Sequence, residues 1–433
     1  MRLSFLACLL LLIASCSDGA QVDGPVRSNV VWIIADGLRY DKAISMESYE
    51  TLAQRGTIYY EAKATASNCV ASVGSMFTGL LPSEHDAHIA RLRRNGVWTY
   101  HQQALQPSQR TIAEEFKELG YDTVLATANL QFAELDLGIS QGFDELLLGN
   151  SSASMLNTRI ESWLATHTEK PFFLVIDYSD TRLGYSPAPG KPEPEPDSPE
   201  DSNRVANEIG AGILGGTEYS ATELNLLKAL YADAVASVDF GIMELFRSLQ
   251  TKELFDSAVV VLCSDHGESL GEHNLIRHGR GAFEELLHVP LVLKSPGQQL
   301  SESSYDRISL LQLPGMILKL AAPGEPDIGG GYFTQHAGES GVRAEQFYSY
   351  PKDFGKPWSD RFDQALRVLY HKQWKYIDSD EGTDQLYRVG EKNLMTASGA
   401  GGSDSKELNN LIEEHPGVAA DMAMRIKRVY GEL

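Results

Sequence analysis

Apolar runs alternate with amphipathic stretches along the first two thirds of the chain. "NVVWIIADG" (29–37) is apolar and β-branched and ends at Asp-Gly, the pattern of a strand buried on both faces. "SYETLAQRG" (48–56) follows with helical spacing and Gly56 as its stop. "TIAEEFKELGYDTVLATAN" (111–129) reads as helix, glycine stop, then strand. "KPFFLVIDYSD" (170–180) and "SAVVVLCSDHGESLGEH" (257–273) are two further apolar strands that run into acidic residues. Between them, "LNLLKALYADAVASVDFGIMELFRSLQ" (224–250) is a long amphipathic helix. Strands alternating with helices predict right-handed crossovers and an α/β fold with a doubly wound, mostly parallel sheet flanked by helices.

The texture changes after about residue 300. "ALRVLYHKQWKYI" (365–377) and "DQLYRV" (384–389) predict short antiparallel strands, and "HPGVAADMAMRIKRVYGEL" a terminal helix. A catalytic domain over 29–300 and a small C-terminal α+β subdomain over 301–433 are expected. The Pro- and acid-rich stretch 186–206 cannot repay its ordering entropy by burial and is expected as a surface loop. "GAGGSDS" is expected as a flexible loop, and no internal repeat is visible.

Composition narrows the partners. With 59 Asp+Glu against 37 Lys+Arg, the formal charge is −22, which repels a nucleic-acid backbone and excludes DNA and RNA as expected partners. Residues 1–15 carry Arg2 ahead of an apolar stretch too short to span a membrane, the pattern of an export signal. The segment closes in "IASC", similar to a bacterial lipobox, so residues 1–15 are expected to be cleaved and Cys16 lipidated. Residues 16–28 would then be a tether. The expected location is the bacterial cell envelope, as an outer-membrane lipoprotein or in the periplasm, with membrane contact only through Cys16. An ordinary secretory signal is the alternative. Cys8 leaves with the signal, and the two remaining cysteines, Cys69 and Cys263, stand in separate motifs, so a disulfide framework is not expected.

In a parallel α/β sheet, ligands gather at the carboxyl ends of the strands. Asp36 ends one predicted strand, and Asp265 with His266 end another. Two carboxylates and an imidazole at one sheet edge suit a divalent cation, although a helix-capping Asp and a satisfied loop histidine fit the same residues separately. Cys69 opens the small-residue helix of "SNCVASVGSMFTGLLPSEH" (67–85). There it is a nucleophile, the precursor of one, a metal ligand, or a packed small residue.

"NVVWIIADGLRYDK", "CVASVGSMFTGLLPSEH" and "SDHGESLGEHNLIRHGRGAFEELLHVPLVLKSPG" resemble, in order and spacing, the sulfatase family of the alkaline phosphatase superfamily, in its D-x-L-R-x-D branch. "WKYI", "DQLYRV" and the terminal helix are similar to its C-terminal subdomain. The resemblance implies an alkaline phosphatase-like fold and one divalent metal ion bound by Asp36, Cys69, Asp265 and His266. That ion is Ca2+ in sulfatases and Mn2+ or Zn2+ in phosphatase-type relatives. Cys69 stands at the nucleophile position, where formylglycine, Ser or Thr occurs. His278 falls where relatives place a group near the ester oxygen and is the candidate general acid. The implied substrate is an anionic ester, with sulfated carbohydrate one class among several.

The chain also departs from the family. Sulfatases matured by cysteine oxidation carry Cys-x-Pro/Ala-x-Arg, but Val73 replaces the arginine, so formylglycine formation at Cys69 lacks a main recognition element. Gly37 replaces the second Asp of the common pair, "TANL" replaces the sulfate-contacting "GKWH", and Arg182 stands where a histidine is usual. Arg182 could clamp an anionic oxygen or form a plain salt bridge. Three functions follow: a sulfate ester hydrolase, a phosphodiesterase or phosphomonoesterase of the same superfamily, and a non-catalytic surface-anchored binding protein on a degenerate sulfatase fold.

Overall fold

The computed structural model describes residues 27–431 with gaps, the longest at 206–219, 326–340, 349–363 and 390–405. The expected signal over 1–15, nearly all of the tether with Cys16, parts of 186–206 and the "GAGGSDS" loop lie outside the described residues.

A large sheet is built from β1 (Val30–Ala35), β2 (Thr57–Lys63), β3 (Asp122–Thr127), β4 (Glu145–Leu148), β5 (Phe172–Tyr178), β6 (Val259–Cys263), β7 (Leu291–Lys294) and β8 (Glu302–Ser309). Its order is β8-β2-β7-β6-β1-β5-β3-β4. All neighbours are parallel except β7, which runs antiparallel to β6 and β2. The doubly wound, mostly parallel expectation therefore holds.

Side-chain alternation along β1 divides the core. Val30, Trp32 and Ile34 face a layer containing α2 (Cys69–Thr78), α3 (Ile112–Glu118) and α6 (Leu313–Ala321). Val31, Ile33 and Ala35 face α1 (Glu47–Ala53), α4 (Ala153–Thr166) and α5 (Ala221–Thr251). α5 begins at a capping box, Ser220 with Glu223, and buries Val238, Ile242, Leu245, Phe246 and Leu249 at helical spacing. Each such side chain contributes about 1.5–3 kcal/mol of burial energy.

Past the large sheet, β9 (Val342–Gln346), β10 (Leu366–His371), β11 (Trp374–Ser379) and β12 (Gln385–Arg388) form an antiparallel sheet covered by α7 (Pro416–Tyr430). The expected boundary at residue 300 is corrected. β8 pairs in parallel with β2, and α6 packs into the same core as β1, so the large layer runs through residue 321. β8 is an edge strand with mostly exposed positions, and its sequence "ESSYDRIS" carries little apolar signal.

The seam between the two sheets is charged. Lys63 Nζ lies 2.6 Å from Glu284 Oε2, and Lys375 Nζ lies 3.1 Å from Glu284 Oε1 and 2.8 Å from Glu407 Oε1. The Tyr370 hydroxyl donates to Glu284 Oε1 at 2.5 Å. Lys63, Lys375 and Glu407 are buried, and Glu284 nearly so.

Candidate active site

The parallel strands deliver their last residues to one edge. β1 runs into Asp36, β5 carries Asp177 near its end, and β6 runs into Ser264, Asp265 and His266. α2 starts at the same edge, capped by Asn68, whose side chain accepts from the Ala71 N–H at 3.5 Å. The Ser72 hydroxyl donates to the Asp265 carbonyl at 2.6 Å and ties the helix to the β6 end. Cys69 thus lies at a helix N-terminus facing the strand ends, at the positive end of the helix dipole.

The four residues expected as metal ligands converge. Cys69 Sγ lies 3.5 Å from Asp36 Oδ1 and 3.2 Å from His266 Nε2. His266 Nε2 lies 3.7 Å from Asp36 Oδ1 and 3.4 Å from Asp265 Oδ2. One donor atom from each of the four lies within 4.8 Å of the others, and all four residues are buried.

Asp265 shows what this cluster lacks. Its Oδ1 accepts from the Gly37 N–H at 3.1 Å and the His266 N–H at 2.8 Å. Gly37 holds its N–H there from a left-handed backbone, φ +74°. The other oxygen, Oδ2, is buried without a hydrogen-bond donor among the described residues. Such an orphaned acceptor is costly unless something positive meets it. An imidazole, two carboxylates and a residue-69 donor around it fit a divalent cation.

Electrostatics agree with that fit. Burial, then the neighbouring Asp36 and Asp177, push the Asp265 carboxyl well above the carboxylate range. Burial and Asp36 raise Asp177 to about 7 and push the Cys69 thiol up. Burial lowers His266 to about 3, so its Nε2 is a free lone pair, with Nδ1 facing the Gly267 carbonyl at 2.8 Å. These shifts oppose charge on Asp177, Asp265 and the Cys69 thiol, and a bound dication reverses that logic.

Arg182 and His278 complete the site. Arg182 Nη1 lies 4.0 Å from Asp36 Oδ2, and its Nη2 donates to Gln131 Oε1 at 3.1 Å. Burial pulls its guanidinium down, but Cys69, Asp36 and Asp177 more than reverse this and hold it above its ordinary value. His278 Nε2 lies 3.8 Å from Cys69 Sγ, while its Nδ1 faces Glu268 Oε2 at 2.7 Å.

The six candidate site residues, Asp36, Cys69, Arg182, Asp265, His266 and His278, thus lie together at this edge. Two were missed. Asp177 lies in "VIDYSD" beside Asp180, and only the fold separates them: the Thr127 hydroxyl donates to Asp177 Oδ2 at 2.6 Å, whereas Asp180 accepts from the Ala153 N–H at 3.2 Å. Glu268 orients His278 and itself accepts from the Tyr185 hydroxyl at 3.0 Å. Its position two residues after His266 was the available signal. Val73 is buried in the core cluster beneath the sheet, where a charged side chain would be desolvated.

Known proteins share the fold. Arylsulfatase K of Bos taurus is 23% identical over 218 residues, covering 49% of this chain and 38% of that protein, so the chain spans less than half of that relative's length. The phosphonate monoester hydrolase of Agrobacterium radiobacter superposes with a TM-score of 0.63 at 19% identity, covering 93% of this chain and 95% of that one. A 2-O GAG sulfatase superposes with a TM-score of 0.64 at 17% identity, covering 94% of each chain. The sulfatase family model matches residues 28–323, taking in the whole large sheet and every residue of the cluster, and the chain belongs to the sulfatase family.

Proposed function

We propose that the protein hydrolyses a sulfate ester, with residue 69 as nucleophile and a divalent cation held by Asp36, Cys69, Asp265 and His266. The observation that carries this reading is the convergence of those four buried side chains within 4.8 Å at the N-terminus of α2. A bound dication supplies positive charge that polarises the ester's anionic oxygens and favours a deprotonated nucleophile. Arg182 adds a fixed cation on the Asp36 side of the cluster, placed to bind the ester's charged oxygens. Glu268 holds the His278 ring so that Nε2 faces residue 69, where it can give a proton to the departing alcohol. The α2 N-terminus favours negative charge at residue 69 throughout. Sulfated carbohydrate is the substrate class in this proposal.

His266 favours a second reading, hydrolysis of a phosphate diester or phosphonate monoester. An imidazole in the donor set suits Mn2+ or Zn2+ better than Ca2+. One screen separates the two: aryl sulfate, phosphate mono- and diester, and phosphonate monoester, each with Ca2+, Mn2+ or Zn2+. Sulfate turnover above all phosphorus esters supports the first reading, and the reverse order replaces it with the second. No turnover together with no stoichiometric cation returns the chain to a binding role. Peptide mass spectrometry at Cys69 reads whether the thiol is oxidised to the aldehyde.

Envelope location is part of the same proposal. No helix among the described residues is long and apolar enough to cross a membrane. Attachment would then rest on a lipid at Cys16, and Cys16→Ser should move the protein to the soluble fraction. A variant that fractionates with the parent removes the anchor from the proposal.

A further inference from the structure

Two donor sets overlap on one sulfur. One is the Asp36, Cys69, Asp265 and His266 group, and the other is Cys69, His266 and His278. In the second set both imidazoles are held by acceptors at Nδ1: the Gly267 carbonyl at 2.8 Å and Glu268 Oε2 at 2.7 Å. Those partners accept, so in the neutral ring each Nδ1 carries the proton and the Nε2 lone pair is left for the sulfur side. Metal at His278 Nε2 and a proton for the leaving alcohol there exclude each other. Orientation by a backbone carbonyl or a carboxylate is the arrangement that metal-bound histidines require.

Distances fit the same use. Tetrahedral zinc, with Zn–S about 2.3 Å and Zn–N about 2.0–2.1 Å, separates sulfur from nitrogen by about 3.6 Å. The two observed separations, 3.2 Å to His266 and 3.8 Å to His278, bracket that value. The rings stand 4.3 Å apart at 34°, so both can face one point beside the sulfur. Glu268 is buried and itself held by Tyr185, which fixes the His278 ring from behind.

We propose that, while residue 69 is a thiol, Cys69, His266 and His278 hold a thiophilic dication such as Zn2+, and that this occupancy stops ester hydrolysis by engaging His278. The inhibitory half rests on the function proposed above, because it takes His278 as the group that protonates the leaving alcohol. Binding balances simply: the thiol proton is released to solvent, a metal–sulfur bond forms, and nothing is oxidised or reduced. Sulfur and imidazole select soft or borderline ions, whereas Asp36 and Asp265 serve harder ones such as Mn2+ or Ca2+. Replacement of the sulfur by oxygen at residue 69 dissolves the soft set and frees His278. Chemistry at one atom thus selects between a metal-sequestering and a reactive form.

The test uses the full chain with Cys69 shown by peptide mass to be a thiol, stripped with a chelator and titrated with Co2+ as a spectroscopic stand-in for Zn2+. A thiolate-to-cobalt absorption band is expected, absent in Cys69→Ser and displaced by Zn2+. His278→Ala should weaken Zn2+ at least about tenfold, the lower end of what losing even an orienting partner costs. The same variant should bind Mn2+ as the parent does, which also shows that it is folded. Glu268→Gln should weaken Zn2+ in the same direction. A cobalt form without the thiolate band, or unchanged Zn2+ affinity in His278→Ala, overturns the proposal. These readouts need no ester turnover. A protein that shows the band yet turns over no ester, even after the soft ion is stripped and Mn2+ or Ca2+ supplied, loses the proposed hydrolysis and the inhibitory half with it. The Cys69, His266 and His278 metal set then stands.

Discussion

Two buried charged clusters lie in this fold and are built in opposite ways. At the seam, Glu284 meets Lys63 and Lys375, and Glu407 meets Lys375. Burial alone would push the Glu284 carboxyl up, but the two ammonium groups more than reverse it and hold it well below the carboxylate range. At the strand ends, Asp36, Asp177 and Asp265 share one guanidinium, Arg182, and burial with mutual repulsion pushes Asp177 and Asp265 up. Most members of both clusters are buried, so burial alone does not separate them; the ratio of acids to cations does. The seam sets two ammonium groups against two carboxylates, of which burial leaves only Glu407 raised, to about 8. The strand-end cluster sets three acids against one guanidinium and can ionise them together only if a cation joins it.

Breaking each cluster should therefore give different signatures. Asp265→Ala should abolish stoichiometric metal and reduce ester turnover roughly 10³-fold, the scale of several kcal/mol of lost charge stabilisation. Metal analysis and kinetics on one preparation check this, and retained metal would show that the strand ends do not act together. Lys375→Met should leave metal content unchanged but destabilise the fold by about 3–5 kcal/mol, because Glu284 and Glu407 lose their shared partner. Denaturant unfolding measures it.

A third experiment sharpens the contrast through pH. Asp177 is held up to about 7, above the roughly 3.9 of an unfolded chain. The folded, cation-free protein therefore keeps a proton that the unfolded chain has released between about pH 4 and pH 7, and its stability falls as pH rises through that window. Melting of chelated protein at several pH values should show this fall, and Asp177→Asn should reduce it. A variant with the parental slope would remove Asp177 from the strained set. The smallest effect is expected at Asn68→Ala, which removes the α2 cap and costs about 1 kcal/mol. Denaturant titration checks it, and the parental midpoint would show that the cap contributes little.

What the sequence disclosed follows the same division. β1, β5 and β6 are buried on both faces, so each reads as an unbroken apolar run, with Asp36 and Asp265 in plain view at the ends of β1 and β6. β2 is half-buried along most of its length and β8 mostly exposed, and neither carried a period strong enough to be seen. Asp36, Asp265 and His266 were legible because strand ends are local features, whereas Cys69, Arg182 and His278 were placed by the family resemblance. The seam was not, since Lys63 and Glu284 are 221 residues apart and each looks like a surface charge in its own segment. Asp177 was hidden by its neighbour Asp180, because sequence does not say which of two acids at a strand end turns toward the ligand side.

The left-handed turn at Gly37 bears on how the site can change. A side chain there would meet only ordinary contacts, the Thr181 carbonyl at 3.5 Å, His266 Cε1 at 3.9 Å and Glu268 Oε2 at 4.0 Å. Aspartate at this position would pay about 1–2 kcal/mol in backbone conformation. Steric room is therefore not the barrier to restoring a paired-aspartate site by a single substitution. The barrier is the company: the new carboxylate would stand beside Glu268, the group that steadies His278. Any lineage or design that adjusts cation preference through position 37 must accept a change in proton delivery with it, and the two traits are free to drift apart only through other positions.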